Sequence, residues 1–191
     1  MSQESKNISL NRRQLLAAGA TAGVALTACQ SSAAAGGKPG LEGKSVLITG
    51  CSSGFGELGA IHYAELGARV FATMRNLPRP EAVALQSAAD AGDSLDITIL
   101  ELDVLSDESV TNAVAEAERL NGGALDVVIN NAGIGTGAPV ELQDLEMMQL
   151  LFDTNVLGYQ RVARAALPAM RAKKSGLIVN VSSQLGRVMV P

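Results

Sequence analysis

The segment Ser45-Val46-Leu47-Ile48-Thr49-Gly50-Cys51-Ser52-Ser53-Gly54-Phe55-Gly56 runs from a short apolar stretch into a turn with three glycines. A short apolar run that ends at a glycine is typical of a strand buried on both faces. Helix-forming residues continue from Gly56 to Leu66, and Gly67 follows, as is common just beyond a helix. Free N–H groups at the start of such a helix favour an anion such as a pyrophosphate. The alternative is a glycine-rich turn without a ligand.

The chain after Gly40 keeps alternating apolar runs with helical segments. The sequence predicts strands over Ser45–Thr49, Arg69–Met74, Asp96–Leu102, Leu125–Ile129 and Leu177–Val181. It predicts helices over Gly56–Leu66, Glu81–Ala91, from Ser106 onward, and over Leu142–Phe152 and Asn155–Arg171. The last of these helices carries seven residues on one face at helical spacing: Val156, Tyr159, Val162, Ala163, Ala166, Leu167 and Met170. Strands that alternate with helices imply a parallel sheet with right-handed crossovers. We therefore expect an α/β fold, a Rossmann-like doubly wound parallel sheet, incomplete and with about five strands.

The composition narrows the classes of function. A chain of 191 residues with 47% apolar residues suffices for one globular domain. Aromatic residues make up 3% and Trp is absent, so the core must consist of small aliphatic side chains. The net charge of −4, without a basic stripe, argues against a nucleic-acid partner. The two cysteines, Cys29 and Cys51, do not form a metal-binding spacing, so no metal site is predicted.

The first 41 residues resemble an export signal followed by a flexible linker. Arg12-Arg13 precede the apolar run Leu15–Ala28, which is too short to span a bilayer but suits a signal peptide. Paired arginines at this place resemble a twin-arginine signal, and Leu26-Thr27-Ala28-Cys29 resembles the lipobox of bacterial lipoproteins. We expect an export signal over 1–29, a flexible linker over 30–41, and a periplasmic or cell-envelope location with a lipid anchor at Cys29. The alternative is a disordered leader on a cytoplasmic protein.

Residues 42–191 resemble the short-chain dehydrogenase/reductase family through motifs that each follow a predicted strand or open a helix. The motifs are Gly50-xxx-Gly54-x-Gly56, Asp103-Val104, Asn130-Asn131-Ala132-Gly133, Asn155 in Asp153-Thr154-Asn155-Val156, and Ser182-Ser183 before Gln184-Leu185-Gly186. The resemblance implies an NAD(P)-binding domain over 42–191. It also implies hydride transfer between a nicotinamide and a small-molecule alcohol or ketone, with steroid-like or other lipophilic substrates as the nearest analogy.

The resemblance assigns roles to particular residues. The cofactor phosphates and ribose would be bound by Gly50, Ser52, Ser53, Gly54, Phe55 and Gly56. Asp103 would accept a hydrogen bond from the adenine amino group, with the Val104 backbone beside it, or else serve only as a loop or helix-capping aspartate. Asn131, Ala132 and Gly133 would line the adenosine ribose and steady the sheet.

Cofactor choice depends on the residues after the second strand. NAD-preferring members place an acid there to bind the ribose hydroxyls. This chain has Met74-Arg75-Asn76 instead. Arg75, helped by Ser52, would pair with the 2′-phosphate of NADP, which makes NADP the expected cofactor and NAD the second choice. The alternative is a solvated surface arginine.

Ser183 matches the family serine that hydrogen-bonds the substrate oxygen, and Asn155 matches the residue that holds a water in the proton relay and bends its helix. The family's Tyr four residues before a Lys is absent, since Gly67 follows Tyr63 and Ala163 follows Tyr159 at that spacing. We therefore expect a fragment truncated at the C-terminus that has no turnover, and a homo-oligomer for the complete protein. The alternatives are a non-catalytic dinucleotide-binding module and a nonfunctional remnant.

Overall fold

The computed structural model describes residues 40–91, 95–137 and 139–183. The strands in these ranges are β1 (Ser45–Thr49), β2 (Arg69–Met74), β3 (Ile97–Glu101), β4 (Val127–Asn130) and β5 (Leu177–Asn180). The α-helices there are α1 (Gly54–Glu65), α2 (Pro80–Asp90), α3 (Asp107–Asn121), α4 (Leu145–Phe152) and α5 (Gly158–Lys173). A 3-10 turn (Val140–Leu142) precedes α4, and a π-helical turn (Asp153–Leu157) joins α4 to α5.

The strands form one parallel sheet in the order β3-β2-β1-β4-β5. Val46 of β1 lies opposite Val70 of β2 on one side and opposite Val127 of β4 on the other. The chain therefore winds from β1 to one edge of the sheet and then crosses back to begin β4. In sheets of this kind ligands bind at the carboxyl ends of the strands where the winding reverses, here between β1 and β4. The predicted doubly wound α/β fold is confirmed.

The core consists of two apolar layers, one on each face of the sheet. Val46 and Ile48 face the layer that contains α1 and α2, whereas Leu47 faces the layer that contains α3 and α5. The buried residues of helix α1 are all small: Gly56, Ala60 and Ala64. Because these positions lack bulk, the N-terminus of α1 can approach the carboxyl end of β1 closely.

The predicted strands over Ser45–Thr49 and Arg69–Met74 agree with β1 and β2 residue for residue, but some helix boundaries differ. Helix α1 begins at Gly54, two residues before the predicted start. Helix α4 begins at Leu145 and not at Leu142. The Oδ1 atom of Asp144 accepts a hydrogen bond from the backbone N–H of Met147 at 2.6 Å, and this cap fixes the later start.

The core face that the sequence predicts for the helix bearing Asn155 is correct in part. Val162, Ala166 and Met170 are buried, but Val156 is 48% exposed, so its predicted place in the core is wrong. Val156 lies in the π-helical turn, which inserts an extra residue into the helical repeat. That insertion rotates Val156 out of the stripe formed by the residues of α5.

None of the helices in the described ranges is long and apolar enough to cross a membrane. The predicted export signal over 1–29, with Arg12-Arg13 and Cys29, lies outside the described residues, as does most of the linker predicted over 30–41. Cys51 is a free, buried thiol.

Candidate active site

A cavity of about 380 Å³ opens at the carboxyl ends of β1 to β4, where the fold places a ligand. Many residues predicted from the sequence to bind a cofactor line it: Gly50, Ser52, Ser53, Phe55, Arg75, Asp103, Val104, Asn131, Ala132 and Gly133. Gly54 and Gly56 belong to the same turn but do not line the cavity. The winding of the sheet has thus brought together side chains from four separate strand ends.

Gly50 directly follows β1 and has a conformation that only glycine adopts without strain. Its φ is +74°, and a Cβ built there would lie 2.8 Å from the Cα of Ala132. The backbone after β1 therefore passes directly against the backbone after β4. This contact leaves the space above the turn open for a ligand and makes the first position of the motif dependent on glycine.

Asn131 fastens the glycine turn to the end of β4. Its Nδ2 donates to the carbonyl oxygens of Thr49 at 2.9 Å and of Gly50 at 3.2 Å. The Oγ1 of Thr49 in return accepts from the backbone N–H groups of Asn131 and Ala132, at 3.0 and 2.9 Å. Asn131 thus holds the carboxyl ends of β1 and β4 together, independently of any contact that it makes with a ligand in the cavity.

The start of helix α1 leaves polar groups directed at the turn. Ser53 is the N-cap residue of α1, yet its hydroxyl makes no capping hydrogen bond. The first N–H groups of a helix have no partner within the helix, and the helix dipole adds partial positive charge there. Phe55 stands on this first turn with its ring 84% exposed beside the cavity. The arrangement suits an anionic group over the turn and an apolar surface at its rim.

Cys51, inside the glycine turn, is packed away from the cavity. It is buried, and its Sγ lies 3.3 Å from the carbonyl oxygen of Ile48, to which the thiol donates. Burial raises the pKa of the Cys51 thiol to about 12, so the group is uncharged near neutral pH. Its role is to fill space under the turn.

At the end of β3, Asp103 stabilises its own loop and also lines the cavity. One carboxylate oxygen, Oδ1, accepts from the backbone N–H of Leu105 at 3.0 Å, so Asp103 does stabilise its own loop. The backbone N–H of Asp103 donates to the Oγ of Ser109. Asp103 also lines the cavity, with its second oxygen outside that loop bond. The loop bond fixes the orientation of the carboxylate toward the cavity.

Arg75 is exposed at the end of β2 and lines the same cavity. Among the described residues, no carboxylate lies within ion-pair distance of its guanidinium. The neighbouring Arg79 differs, since its guanidinium pairs with both carboxylate oxygens of Glu81 at 2.9 and 3.0 Å. Arg79 also donates to the backbone carbonyl of Arg75 at 3.3 Å, which braces the turn. Arg75 therefore presents an uncompensated positive charge to the cavity.

Asn155 lies in the π-helical turn and is bound to the segment after β4. Its Oδ1 accepts from the backbone N–H of Ile134 at 2.9 Å, and its Nδ2 donates to the carbonyl oxygen of Ile134 at 2.8 Å. A Cβ on Gly133 would lie 3.2 Å from Oδ1 of Asn155, so Gly133 allows this approach. The side chain is thereby fixed to the edge of the cavity, although Asn155 does not line it.

Ser183 follows β5 and is exposed at the carboxyl edge of the sheet. The end of this strand is held by Tyr159 of α5, whose hydroxyl donates to the carbonyl oxygen of Val181 at 3.0 Å. Burial raises the pKa of the Tyr159 hydroxyl above its ordinary value. This is opposite to what a proton-exchanging tyrosine requires, so Tyr159 positions the strand that leads to Ser183.

Several cavity residues could not be predicted from the sequence. Apolar or small side chains complete the wall: Met74, Leu102, Leu105, Ile134, Leu150 and Thr154. Leu150 and Thr154 come from α4 and the π-helical turn, which reach the cavity only because the helix passes beside the end of β4. The contact of Thr49 with the end of β4 could have been predicted from the sequence, because a hydroxyl residue at the carboxyl end of a central strand can form a hydrogen bond with the neighbouring strand.

The chain resembles known proteins over the region that builds this cavity. The family model described as short chain dehydrogenase matches residues 44–191. Retinol dehydrogenase 8 of Bos taurus is 41% identical over 146 residues, which cover 75% of this chain and 45% of that protein. Estradiol 17-beta-dehydrogenase 1 of Rattus norvegicus is 36% identical over 149 residues, 76% of this chain and 42% of the relative. The chain thus spans less than half the length of these relatives.

A similar fold occurs among solved structures. A gluconate 5-dehydrogenase from Burkholderia cenocepacia, in complex with NADP and tartrate, superposes with a TM-score of 0.71 and 30% sequence identity. The similarity covers 80% of this chain and 58% of that one. A family match that includes all the strands, together with relatives of this identity, leads to one conclusion. The chain belongs to the short-chain dehydrogenase family.

Proposed function

We propose that this protein is an NADP-dependent oxidoreductase that interconverts a lipophilic alcohol and the corresponding carbonyl compound. The observation that carries the proposal is the cavity at the β1–β4 switch point, which combines a glycine turn, a helix N-terminus and the unpaired Arg75. Each of these features attracts a phosphate group. A dinucleotide with three phosphates is the ligand whose charges fit all of them.

The residues present fit NADP. The turn from Gly50 to Gly56 would hold the pyrophosphate, since it leads into the N-terminus of α1, where the first N–H groups have no partner within the helix. Asp103 would accept from the adenine amino group, and Arg75 would pair with the 2′-phosphate. When bound, the nicotinamide of NADP supplies or accepts a hydride.

Ser183 and Asn155 are the groups proposed to act on the substrate. The hydroxyl of Ser183 would donate to the substrate oxygen and stabilise negative charge that develops on it. Asn155 would orient a water in the path of the proton, since its own side chain is locked by Ile134. Neither Tyr63 nor Tyr159 has a lysine four residues later, so no group in the chain is proposed as the proton donor.

A lipophilic substrate is proposed from two supports. The relatives named above are dehydrogenases of retinol and estradiol, both largely apolar alcohols. Apolar side chains also stand at the rim of the cavity, where Phe55 is exposed and Ile134 and Leu150 contribute to the wall. Such a rim would favour an apolar molecule next to the dinucleotide.

Fluorescence titration of the chain with NADPH and with NADH tests the proposal. We expect saturable binding of NADPH, with at least tenfold weaker binding of NADH, because only the former has the phosphate for Arg75. Absence of NADPH binding to a folded chain would refute the proposal. A non-catalytic dinucleotide-binding module is the alternative function, favoured by the commitment of the Tyr159 hydroxyl to Val181. It predicts the same binding, and no turnover by any form of the protein that contains the whole domain.

The twin-arginine-like segment supports a further proposal about location. We propose export by a twin-arginine route and lipid attachment at Cys29, which would hold the protein at a membrane surface. Fusion of residues 1–40 to a folded reporter tests this. Export should stop when Arg12 and Arg13 are both replaced by Lys, and lipid labelling should stop in Cys29→Ser. Unchanged export of the variant with two lysines would contradict the twin-arginine route. Absence of lipid labelling in the unaltered fusion would contradict lipid attachment at Cys29.

An oligomeric whole protein is proposed from helix α4. Leu145 is 78% exposed and Phe152 is 57% exposed, and no residue of this apolar helix is buried. Several large apolar side chains exposed together on one helix are normally covered by another surface. Light scattering of the whole protein should give a mass of at least two chains, and a monomer would contradict the proposal.

A further inference from the structure

One guanidinium joins the loop after β3 to the π-helical turn, beside the proposed dinucleotide cavity. Arg161 of α5 is largely buried, with 18% of its side chain exposed. Its NH1 nitrogen donates to the carbonyl oxygen of Val104 at 3.1 Å and to the carbonyl oxygen of Asp153 at 3.4 Å. The same nitrogen lies 2.7 Å from Oδ1 of Asp153, and the Nε lies 3.5 Å from Oδ1 of Asp107.

The partners of Arg161 belong to two separate parts of the site. Val104 follows Asp103 in the loop after β3 and lines the cavity on the side proposed for adenine. Asp153 begins the π-helical turn that carries Asn155. The two segments are about fifty residues apart in sequence, and among the described residues Arg161 is the side chain whose hydrogen bonds reach both.

The backbone at both contact points needs support. A π-helical turn departs from the regular helical hydrogen-bond pattern and is a local irregularity. The carbonyl oxygen of Asp153 accepts from the backbone N–H of Gly158, which closes the turn, and Arg161 adds a charged donor to that same oxygen. On the other side, a Cβ on Gly158 would lie 2.9 Å from the Cβ of Val104, so the loop after β3 rests directly on α5.

We infer that Arg161 is a positioning residue, which holds the turn bearing Asn155 and the Val104 wall of the cavity as one rigid unit. The expected effect of Arg161 on NADP binding rests on the proposed function. Its role in holding the turn and the loop together does not. Loss of Arg161 removes the donor to the carbonyl oxygen of Val104 and the cation paired with the carboxylate of Asp153, and it leaves the carbonyl oxygen of Asp153 with only the backbone N–H of Gly158. The turn would then rearrange, and Asn155 would lose its place against Ile134.

Amide hydrogen exchange measured by NMR tests the inference at one atom. The backbone N–H of Ile134 donates to Oδ1 of Asn155, so its exchange rate reports the position of that side chain. In Arg161→Gln we expect exchange at Ile134 to accelerate by at least about tenfold. The N–H of Val70, bonded to Asp96 within the sheet, should keep its rate within about twofold.

Two variants serve as comparisons. Arg164→Gln removes the same charge from an exposed residue of α5, for which no partner is present among the described residues, and should leave Ile134 protected. Arg161→Lys keeps the charge and one donor direction, and should restore part of the protection. Should Arg161→Gln not fold, Asp153→Asn, which removes the paired carboxylate, is measured in its place with the same expectation.

NADPH titration then separates this inference from the proposed function. Arg161→Gln should bind NADPH about tenfold more weakly than the unaltered chain and than Arg164→Gln. Unchanged exchange at Ile134, or equal acceleration at Ile134 and Val70, would overturn the positioning role even when NADPH binds. Selective acceleration at Ile134 in a chain that binds no NADPH would support the positioning role and refute the proposed function.

Discussion

The Nδ2 of Asn131 lies 2.6 Å from the position that a Cβ on Gly56 would occupy, and the carbonyl oxygen of Gly50 lies closer still. Gly56, the third glycine of the turn, is therefore required by its packing against Asn131, whose side chain links the ends of β1 and β4. It is needed before any ligand is considered, because the helix start and the strand ends already fill the space around it.

This relationship predicts opposite effects for two glycines of α1. Gly56→Ala should lower the free energy of unfolding by about 1–3 kcal/mol, since the added methyl group must displace backbone and the Asn131 amide. Gly59→Ala should raise it by up to about 1 kcal/mol, because a Cβ there meets only ordinary contacts, at 3.7 Å from the Tyr63 ring, and Ala favours the helix. Urea denaturation measures both. Equal stability of the two variants would show that the turn can relax.

Cofactor choice is predicted to depend on Arg75. In Arg75→Ala the dissociation constant for NADPH should rise by roughly tenfold or more, because a charge-assisted contact to a phosphate is lost, while that for NADH should stay nearly constant. Arg171→Ala, which removes an equal charge from the exposed last turn of α5, should change neither. Fluorescence titration gives all six values. Equal weakening of both dinucleotides would show that Arg75 does not contact the 2′-phosphate.

Acid stability is predicted to depend on Asp126. Burial raises the pKa of its carboxyl, but hydrogen bonds from Lys173 and from the backbone N–H of Ser45 outweigh burial and lower the pKa to about 2. A pKa below the ordinary 3.8 means that the folded state gains from the charged form above that value and loses the gain as the pH falls toward 2.

The measurement for Asp126 is the unfolding free energy as a function of pH. The difference between the unaltered chain and Asp126→Asn should be about 1 kcal/mol near pH 6 and should vanish between about pH 4 and pH 2. Asp90→Asn, at an exposed carboxylate bonded to the Gln86 amide, should give no such trend. A difference that does not change with pH would place the contribution of Asp126 in neutral hydrogen bonds.

The chain of 191 residues is predicted to bind a dinucleotide but to catalyse no turnover of alcohols or ketones. The hydroxyl of Tyr159 is committed to Val181, and burial raises its pKa, so it should not exchange protons with a substrate. Loss of a general acid or base costs a factor of about 10²–10⁴ in rate. Absorbance at the NAD(P)H band with a panel of ketones and alcohols should show no change above background. Turnover that disappears in Tyr159→Phe would identify Tyr159 as the proton donor after all.

The sequence by itself determined the fold class and most of the site. Short apolar runs that end at glycine or at polar residues are typical of buried strands, and β1 and β2 were predicted residue for residue. All the motifs but the one that contains Asn155 lay at a strand's carboxyl end, and in a parallel sheet those ends share one edge. The residues Gly50, Asp103 and Asn131 could therefore be expected in one cavity without knowledge of the packing.

The tertiary structure decided what periodicity cannot express. The π-helical turn adds one residue to the helical repeat, so it moved Val156 out of the core and brought Asn155 against Ile134. Leu150 reached the cavity, and Arg161 reached Val104, through contacts between segments distant in sequence. Local patterns record the propensity of one segment, whereas such contacts depend on the relative placement of two, and that placement is set by the packing of helices on the sheet.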